Sequence, residues 1–209
     1  ILVSSLGASG IVVKPIILDL ILPIGISFYT FQSMSYSIDI FCGRLKPAKS
    51  FLDFALFVSF FTQLVAGPIV RARQFLPQLK KPRTISLEQV KWGLYLIILG
   101  LFKKLVIADN LAPYVDWFFS LETYDSVNAV TAWLAVLAYA AQIFADFSGY
   151  TDIAIGLAWI LGFRLPANFY YPYIALGFRD FWRRWHITLS EWIRDYIYWP
   201  MALKAVRKK

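Results

Sequence analysis

The chain has one cysteine, Cys42, and one histidine, His186. A lone thiol cannot form an intrachain disulfide, and one thiol with one imidazole falls short of the usual ligand set of a zinc site. Charge is scarce too: Asp, Glu, Lys and Arg make up 16% of the residues, against about 25% in a typical soluble domain. Positive charge is missing altogether from Leu105 to Phe163. No phosphate-cradling glycine loop, nucleophile elbow or zinc-protease motif occurs. These absences argue against a disulfide-stapled domain, a metalloenzyme and an ordinary soluble globule. What fills the 209 residues is apolar: 59% hydrophobic and 18% aromatic, with a mean hydropathy of +0.58. Disordered segments are poor in aromatics, so disorder is excluded. The composition calls for a membrane.

A bilayer core about 30 Å thick takes about 20 apolar residues of helix. Leu20 to Ile38 holds 19 uncharged residues and Ser126 to Ala145 holds 20, so both are long enough to span. Phe54 to Val70 holds 17, but Gly67-Pro68 breaks its far end. With Arg44, Lys46 and Lys49 before it and Arg71, Arg73, Lys80, Lys81 and Arg83 after it, both ends favour the cytoplasmic side, which predicts a re-entrant helix. Ser86 and Gln89 have the spacing of a capping box opening a helix that continues to about Ala108. Lys103 and Lys104 interrupt that helix and either snorkel to an interface or line the protein interior. The acidic 109 to 125 loop is predicted to lie outside. The polar stretch Asp146 to Asp152 predicts a broken or tilted helix pair. There Asp146 and Asp152 converge across the break and hydrogen-bond its freed backbone, the catalytic use of such carboxylates being the alternative. Gln63 and Asn168, each close to a proline, suit the same backbone-satisfying role. The net charge of +8 is explained by positive-inside loops and the basic tail, and nucleic acid is not needed as a partner.

After Pro172 the composition changes. On a 3.6-residue period Phe178, Phe181, Trp182, Trp185, Leu189 and Trp192 share one face, and Arg179, Arg183, His186 and Ser190 the other. The pattern predicts one amphipathic helix. It is either an interfacial helix with Trp and Arg at the headgroups, or a helix presenting His186 as a base to a protein-lined cavity. In the second case Arg183 or Arg179 is a candidate to hold an anionic donor, with headgroup contact as the alternative. Arg183, Trp185 and Ser190 are the candidate substrate-binding residues.

Five stretches carry a family resemblance: Leu22 to Gln32, Gln63 to Arg71, Asp146 to Ala154, Asn168-Phe169 with Pro172-Tyr173, and Phe181-Trp182-Arg183-Arg184-Trp185-His186-Ile187-Thr188-Leu189-Ser190 followed by Trp192 and Arg194-Asp195-Tyr196. In this order they resemble the membrane-bound O-acyltransferase family, in its bacterial polysaccharide O-acetylation branch. The resemblance implies an all-α, polytopic membrane bundle with re-entrant and broken helices, residues 1-209 being one acyltransferase domain truncated at both ends. It implies that His186 is catalytic and that no cofactor or metal is bound. Acetyl-CoA is implied as the donor, and an exported polysaccharide such as alginate, or a periplasmic or extracellular acetyltransferase, as the partner. The implied location is a bacterial inner membrane, crossed several times. The family's second histidine, in a Leu-Trp-His-Gly setting, is expected beyond Lys209, and Tyr198-Trp199-Pro200-Met201-Ala202 departs from the family's usual continuation. Relatives that move D-alanine onto teichoic acid share the Trp-His pair. A transporter or scaffold with a broken helix at its centre is the rival reading.

Overall fold

A computed structural model describes residues 25–63, 67–120 and 127–207. Parts of several sequence expectations lie outside these residues: the start of the Leu20 span, Leu64 to Ala66, residues 121 to 126 and the end of the basic tail. The described residues are helical and contain no strand. The elements are α1 (Ile26–Phe41), α2 (Phe51–Val58), α3 (Ala72–Leu79), α4 (Leu87–Leu101), α5 (Asp109–Phe118), α6 (Ala129–Ile160), α7 (Phe178–Arg184), α8 (Ile187–Ile193) and α9 (Trp199–Arg207).

The capping box is present: Ser86 Oγ accepts from the Gln89 amide and Gln89 Oε1 accepts from the Ser86 amide. From it α4 runs without interruption through a π-helical stretch, Phe102–Ala108, into α5. The expected outside loop therefore begins as helix as far as Phe118. The expected re-entrant helix is also shorter than its apolar run. It stops at Ser59, whose hydroxyl donates to the Ala55 carbonyl, and Phe60 turns into the core.

The larger correction concerns α6. No break occurs between Asp146 and Asp152, and the helix is continuous for 32 residues, about 48 Å at 1.5 Å per residue. Two facts remove the need for a break. Gly93 faces Gly156 and Gly100 faces Gly149, so closely that a Cβ on Gly100 would lie 2.5 Å from the Gly149 carbonyl. Pairs seven residues apart on each helix, running in opposite directions, make α4 and α6 antiparallel neighbours at small-residue contacts. The carboxylates are neutralised by the facing lysines: Lys103 Nζ lies 2.6 Å from Asp152 Oδ2, and Lys104 Nζ lies 2.7 Å from both Asp146 Oδ1 and Asp109 Oδ1. A π turn is wound more loosely than an α turn, so consecutive lysines come closer to one face. Lys103 fits the interior reading, lining a cavity beside α6, whereas Lys104 and both its carboxylate partners are partly exposed.

Burial is reversed relative to a soluble bundle. Helix α1 buries Gln32, Ser35 and Asp39 while Phe41 is 92% exposed. Helix α6 buries alanines, glycines, Ser148 and Thr151 and turns Val130, Trp133, Leu134 and Leu137 outward. Among the described residues, α6 is the one helix long and apolar enough to cross a membrane. A conventional aromatic core exists at one end, where Phe57, Phe60, Phe75 and Phe163 pack together, with Phe75 and Phe163 stacked at 5.0 Å. It ties α2 and α3 to the end of α6.

Candidate active site

The segment predicted to be one amphipathic helix is two. Helix α7 ends at Arg184, Trp185 is extended, and His186 takes a left-handed conformation at φ 42°, ψ 54° before α8 begins. A break frees backbone groups, and each needs a partner. The extended run Asn168 to Tyr170 supplies them: the Tyr170 amide donates to the Arg184 carbonyl and the Ile187 amide donates to the Asn168 carbonyl, both at 2.9 Å. The same run carries the Asn168 side chain to the break.

Asn168 is buried, and its side-chain oxygen collects three contacts. The Thr188 amide lies 3.3 Å away, the Thr188 hydroxyl 2.9 Å and His186 Nδ1 3.0 Å. An amide N–H can only donate, so the atom it meets on Asn168 is the oxygen. That oxygen can only accept, so His186 Nδ1 carries the proton and Nε2 holds the lone pair. Thr188 Oγ1 in turn accepts from the Ile69 amide at 2.9 Å, which commits its own proton to Asn168. Asn168 Nδ2 faces the Gly67 carbonyl at 3.5 Å. The imidazole is packed edge-on against Phe147, centroids 4.7 Å apart, with Phe28 stacked at 6.5 Å. Burial pushes its pKa down from 6.5 to about 4, so it is a neutral base at physiological pH.

The candidate binding residues separate. Trp185 lies in an aromatic wall with Phe169, Phe181 and Phe144. Ser190 Oγ reaches back to the Trp185 carbonyl at 3.5 Å and so belongs to the break itself. Arg183 is exposed, and the face it was expected to share with His186 ends at the break. Asn168 was expected to satisfy freed backbone near a break, and at the α7–α8 break its carbonyl accepts from the Ile187 amide and its side-chain oxygen from the Thr188 amide. Its side-chain hold on His186, like the role of Thr188, has no signature in helical spacing because it crosses 18 and 20 residues.

Beyond Asn168 lies a cavity of about 340 Å³ between α4, α6 and the 167–171 run. Lys103 and Asp152 line it, as do the buried hydroxyls of Ser148 and Thr151, which have no hydrogen-bond partner among the described residues. The wall is mixed, setting these polar groups among apolar side chains such as Leu99, Phe144 and Ile155. A half-buried imidazole of fixed tautomer, an aromatic wall and a cavity carrying several polar groups, set among helices that turn apolar side chains outward, define a helical protein of membrane type.

The sequence pattern of the membrane-bound O-acyltransferase family matches residues 45–209, and the chain belongs to that family. It is 45% identical over 197 residues to "Probable alginate O-acetylase AlgI" of Azotobacter vinelandii, covering 94% of this chain and 38% of the relative. It is 41% identical over 217 residues to the peptidoglycan O-acetyltransferase of Helicobacter pylori, covering 91% and 41%. Against the teichoic acid D-alanyltransferase of Bacillus subtilis the identity is 31% over 193 residues, covering 91% and 48%. The chain spans less than half the length of each of these relatives.

Proposed function

We propose that the protein carrying this chain transfers an acetyl group from a cytoplasmic donor, acetyl-CoA, toward hydroxyls of an exported polysaccharide such as alginate, with His186 as the general base. The observation that carries the proposal is the Asn168 oxygen at 3.0 Å from His186 Nδ1, which leaves Nε2 free to take a proton. In the reaction the acceptor hydroxyl loses its proton to Nε2 as its oxygen bonds to the acyl carbon. The carbon–sulfur bond of the thioester then breaks, and the proton passes from the imidazolium to the leaving thiolate. Helices packed closely around the site exclude water and protect the thioester from hydrolysis. Trp185 forms part of the wall against which the substrates are held, and Arg183 meets anionic groups at the headgroup level.

Residues 1-209 form part of one membrane-embedded domain of an inner-membrane, multi-pass protein. In it α1, α4 with its π-helical continuation, and α6 cross the bilayer. The reversed burial of α1 and α6 supports this, since a soluble protein rarely exposes so continuous an apolar surface. A transporter reading loses the broken helix around Gly149 on which it drew, because α6 is continuous. Identity to acetyl-transferring relatives is higher than to the D-alanyl branch, which favours acetyl as the group moved.

The test is transfer of labelled acetyl from acetyl-CoA by the purified protein, with and without His186→Ala. Loss of transfer with membrane insertion intact is expected. Undiminished transfer in the variant overturns the assignment of the base.

A further inference from the structure

At the end of the bundle where α4 begins and α6 ends, two adjoining cavities of about 530 and 460 Å³ share Thr84 and Arg164 in their walls. This end is basic. Lys81, Arg83 and Arg164 line the cavities, with Glu88 as the opposing acid. Among the described residues none of the three cations forms an ion pair.

Both arginines are exposed, and each is held against an aromatic ring. The Arg83 guanidinium carbon lies 3.7 Å from the centroid of the buried Phe163 ring. Its stem packs on Gly162, where a Cβ would approach Arg83 Cδ to 3.1 Å at a φ of +79°. Glycine at 162 thus permits both the turn and the close approach. Arg164 lies over Trp159 at 5.9 Å, and Gln78 fixes its backbone from both sides, accepting from its amide at 2.8 Å and donating to its carbonyl at 3.0 Å. A guanidinium held over a ring still has N–H donors to offer a ligand, and planar arginine donors match phosphate oxygens. The hydroxyls of Thr84 and Ser86 lie in the same walls, next to the positive N-terminal end of the 15-residue α4. Trp92 and Trp159 complete them, and Trp92 is 52% exposed, as expected of a side chain at headgroup level.

We propose that this cleft is a binding site for a phosphate group, supplied by the headgroup of an anionic membrane lipid. The inference rests on the membrane placement proposed above but not on the acyl-transfer chemistry. A lipid phosphate is favoured over a soluble one because the cleft is rimmed by tryptophans at the end of the membrane-length helix α6.

The experiment measures binding of phosphatidylglycerol to the purified protein in phosphatidylcholine nanodiscs, with Arg83→Gln, Arg164→Gln and the conservative Arg83→Lys. Lys49→Gln removes an equal charge on another basic loop. Charge-assisted hydrogen bonds from an arginine to a phosphate add to the diffuse attraction of any cation, so each glutamine variant is expected to weaken binding about tenfold. Arg83→Lys, which keeps the charge but loses the planar donor set, is expected to recover part of the loss, and Lys49→Gln is expected to show none of the effect. Thermal melts establish that each variant is folded, and Arg164→Gln retains its Gln78 backbone contacts. Equal weakening by Lys49→Gln overturns the site in favour of diffuse attraction. So does a wild-type protein that binds phosphatidylglycerol no better than phosphatidylcholine. A third arm titrates soluble diphosphate: binding of it with the same variant sensitivity, without any preference for the anionic lipid, overturns the lipid source. Acetyl transfer measured on the same samples separates failure of this inference from failure of the proposed reaction.

Discussion

Replacing Asn168 by Asp changes one atom type at the centre of the site and reverses the electrostatics of His186. In the native chain the imidazole is buried and its pKa is pushed down to about 4. Its Nδ1 proton meets an uncharged oxygen at 3.0 Å, which orients the ring but does little to stabilise a positive charge. A carboxylate there keeps the Thr188 amide and hydroxyl as donors and sacrifices only the long 3.5 Å contact to the Gly67 carbonyl. An opposite charge in hydrogen-bond range raises a histidine pKa by about 1 to 3 units, so the midpoint is expected to move from about 4 to about 5 to 7. Each unit corresponds to about 1.4 kcal/mol of preference for the imidazolium. Because His186 is the sole histidine of this chain, nitrogen-15 histidine labelling reports on one ring. The wild type is expected to show the Nδ1–H tautomer when neutral and to protonate near pH 4, and the variant to protonate higher. The linkage to stability has the same origin. A folded-state pKa below 6.5 means that the unfolded chain binds the proton first. The wild type therefore loses stability as pH falls from 6.5 toward 4, and the variant loses less. A neutral Nε2–H tautomer in the wild type, or an unmoved midpoint in Asn168→Asp, refutes the assigned network.

Thr188→Val removes both the acceptor of the Ile69 amide and a donor to Asn168. It should destabilise by about 1 to 3 kcal/mol in chemical unfolding, while Thr188→Ser restores most of the loss. Lys103→Met strands the Asp152 carboxylate and is expected to cost about 3 kcal/mol, whereas Lys103→Met with Asp152→Leu recovers much of it; equal melting temperatures for the single and double variants argue against the pair. Gly100→Val drives a side chain into the Gly149 carbonyl and should lower stability by at least about 1 to 3 kcal/mol. Gly177→Ala, with open space around it, should stay within about 0.5 kcal/mol of wild type.

What the sequence made legible was local. The Ser86–Gln89 capping box spans one helical turn, and its two hydrogen bonds formed as spaced. The ordered motifs that end in Arg183-Arg184-Trp185-His186 singled out His186 as a candidate, but they carried no information on what surrounds its ring. The two largest failures, at α6 and at the α7–α8 break, each depended on a partner far along the chain. A polar run from Asp146 to Asp152 implies a broken helix only if its carboxylates stay unpaired, and Lys103 and Lys104 pair them from more than 40 residues away. A regular 3.6-residue stripe from Phe178 to Trp192 implies one helix only if nothing competes for its backbone. Asn168 to Tyr170 competes, and the helix opens at Trp185 and His186.

That opening has a chemical consequence. Within one continuous helix His186 would be fixed by its own turn, with Arg183 and Ser190 beside it and the whole stripe directed one way. In the observed arrangement two seven-residue helices meet at a left-handed residue. The conformation is uncommon for a non-glycine residue and costs on the order of 1 kcal/mol or more. The Arg184 carbonyl and Ile187 amide freed by the break are recovered by the 168–170 run, and the strained backbone turns the imidazole to Asn168. Glycine at 186 would relieve the backbone strain but leave Asn168 without a ring to hold. The strain is thus tied to the one side chain whose orientation the proposed chemistry needs, and the hydrogen bonds that sustain it also set its tautomer.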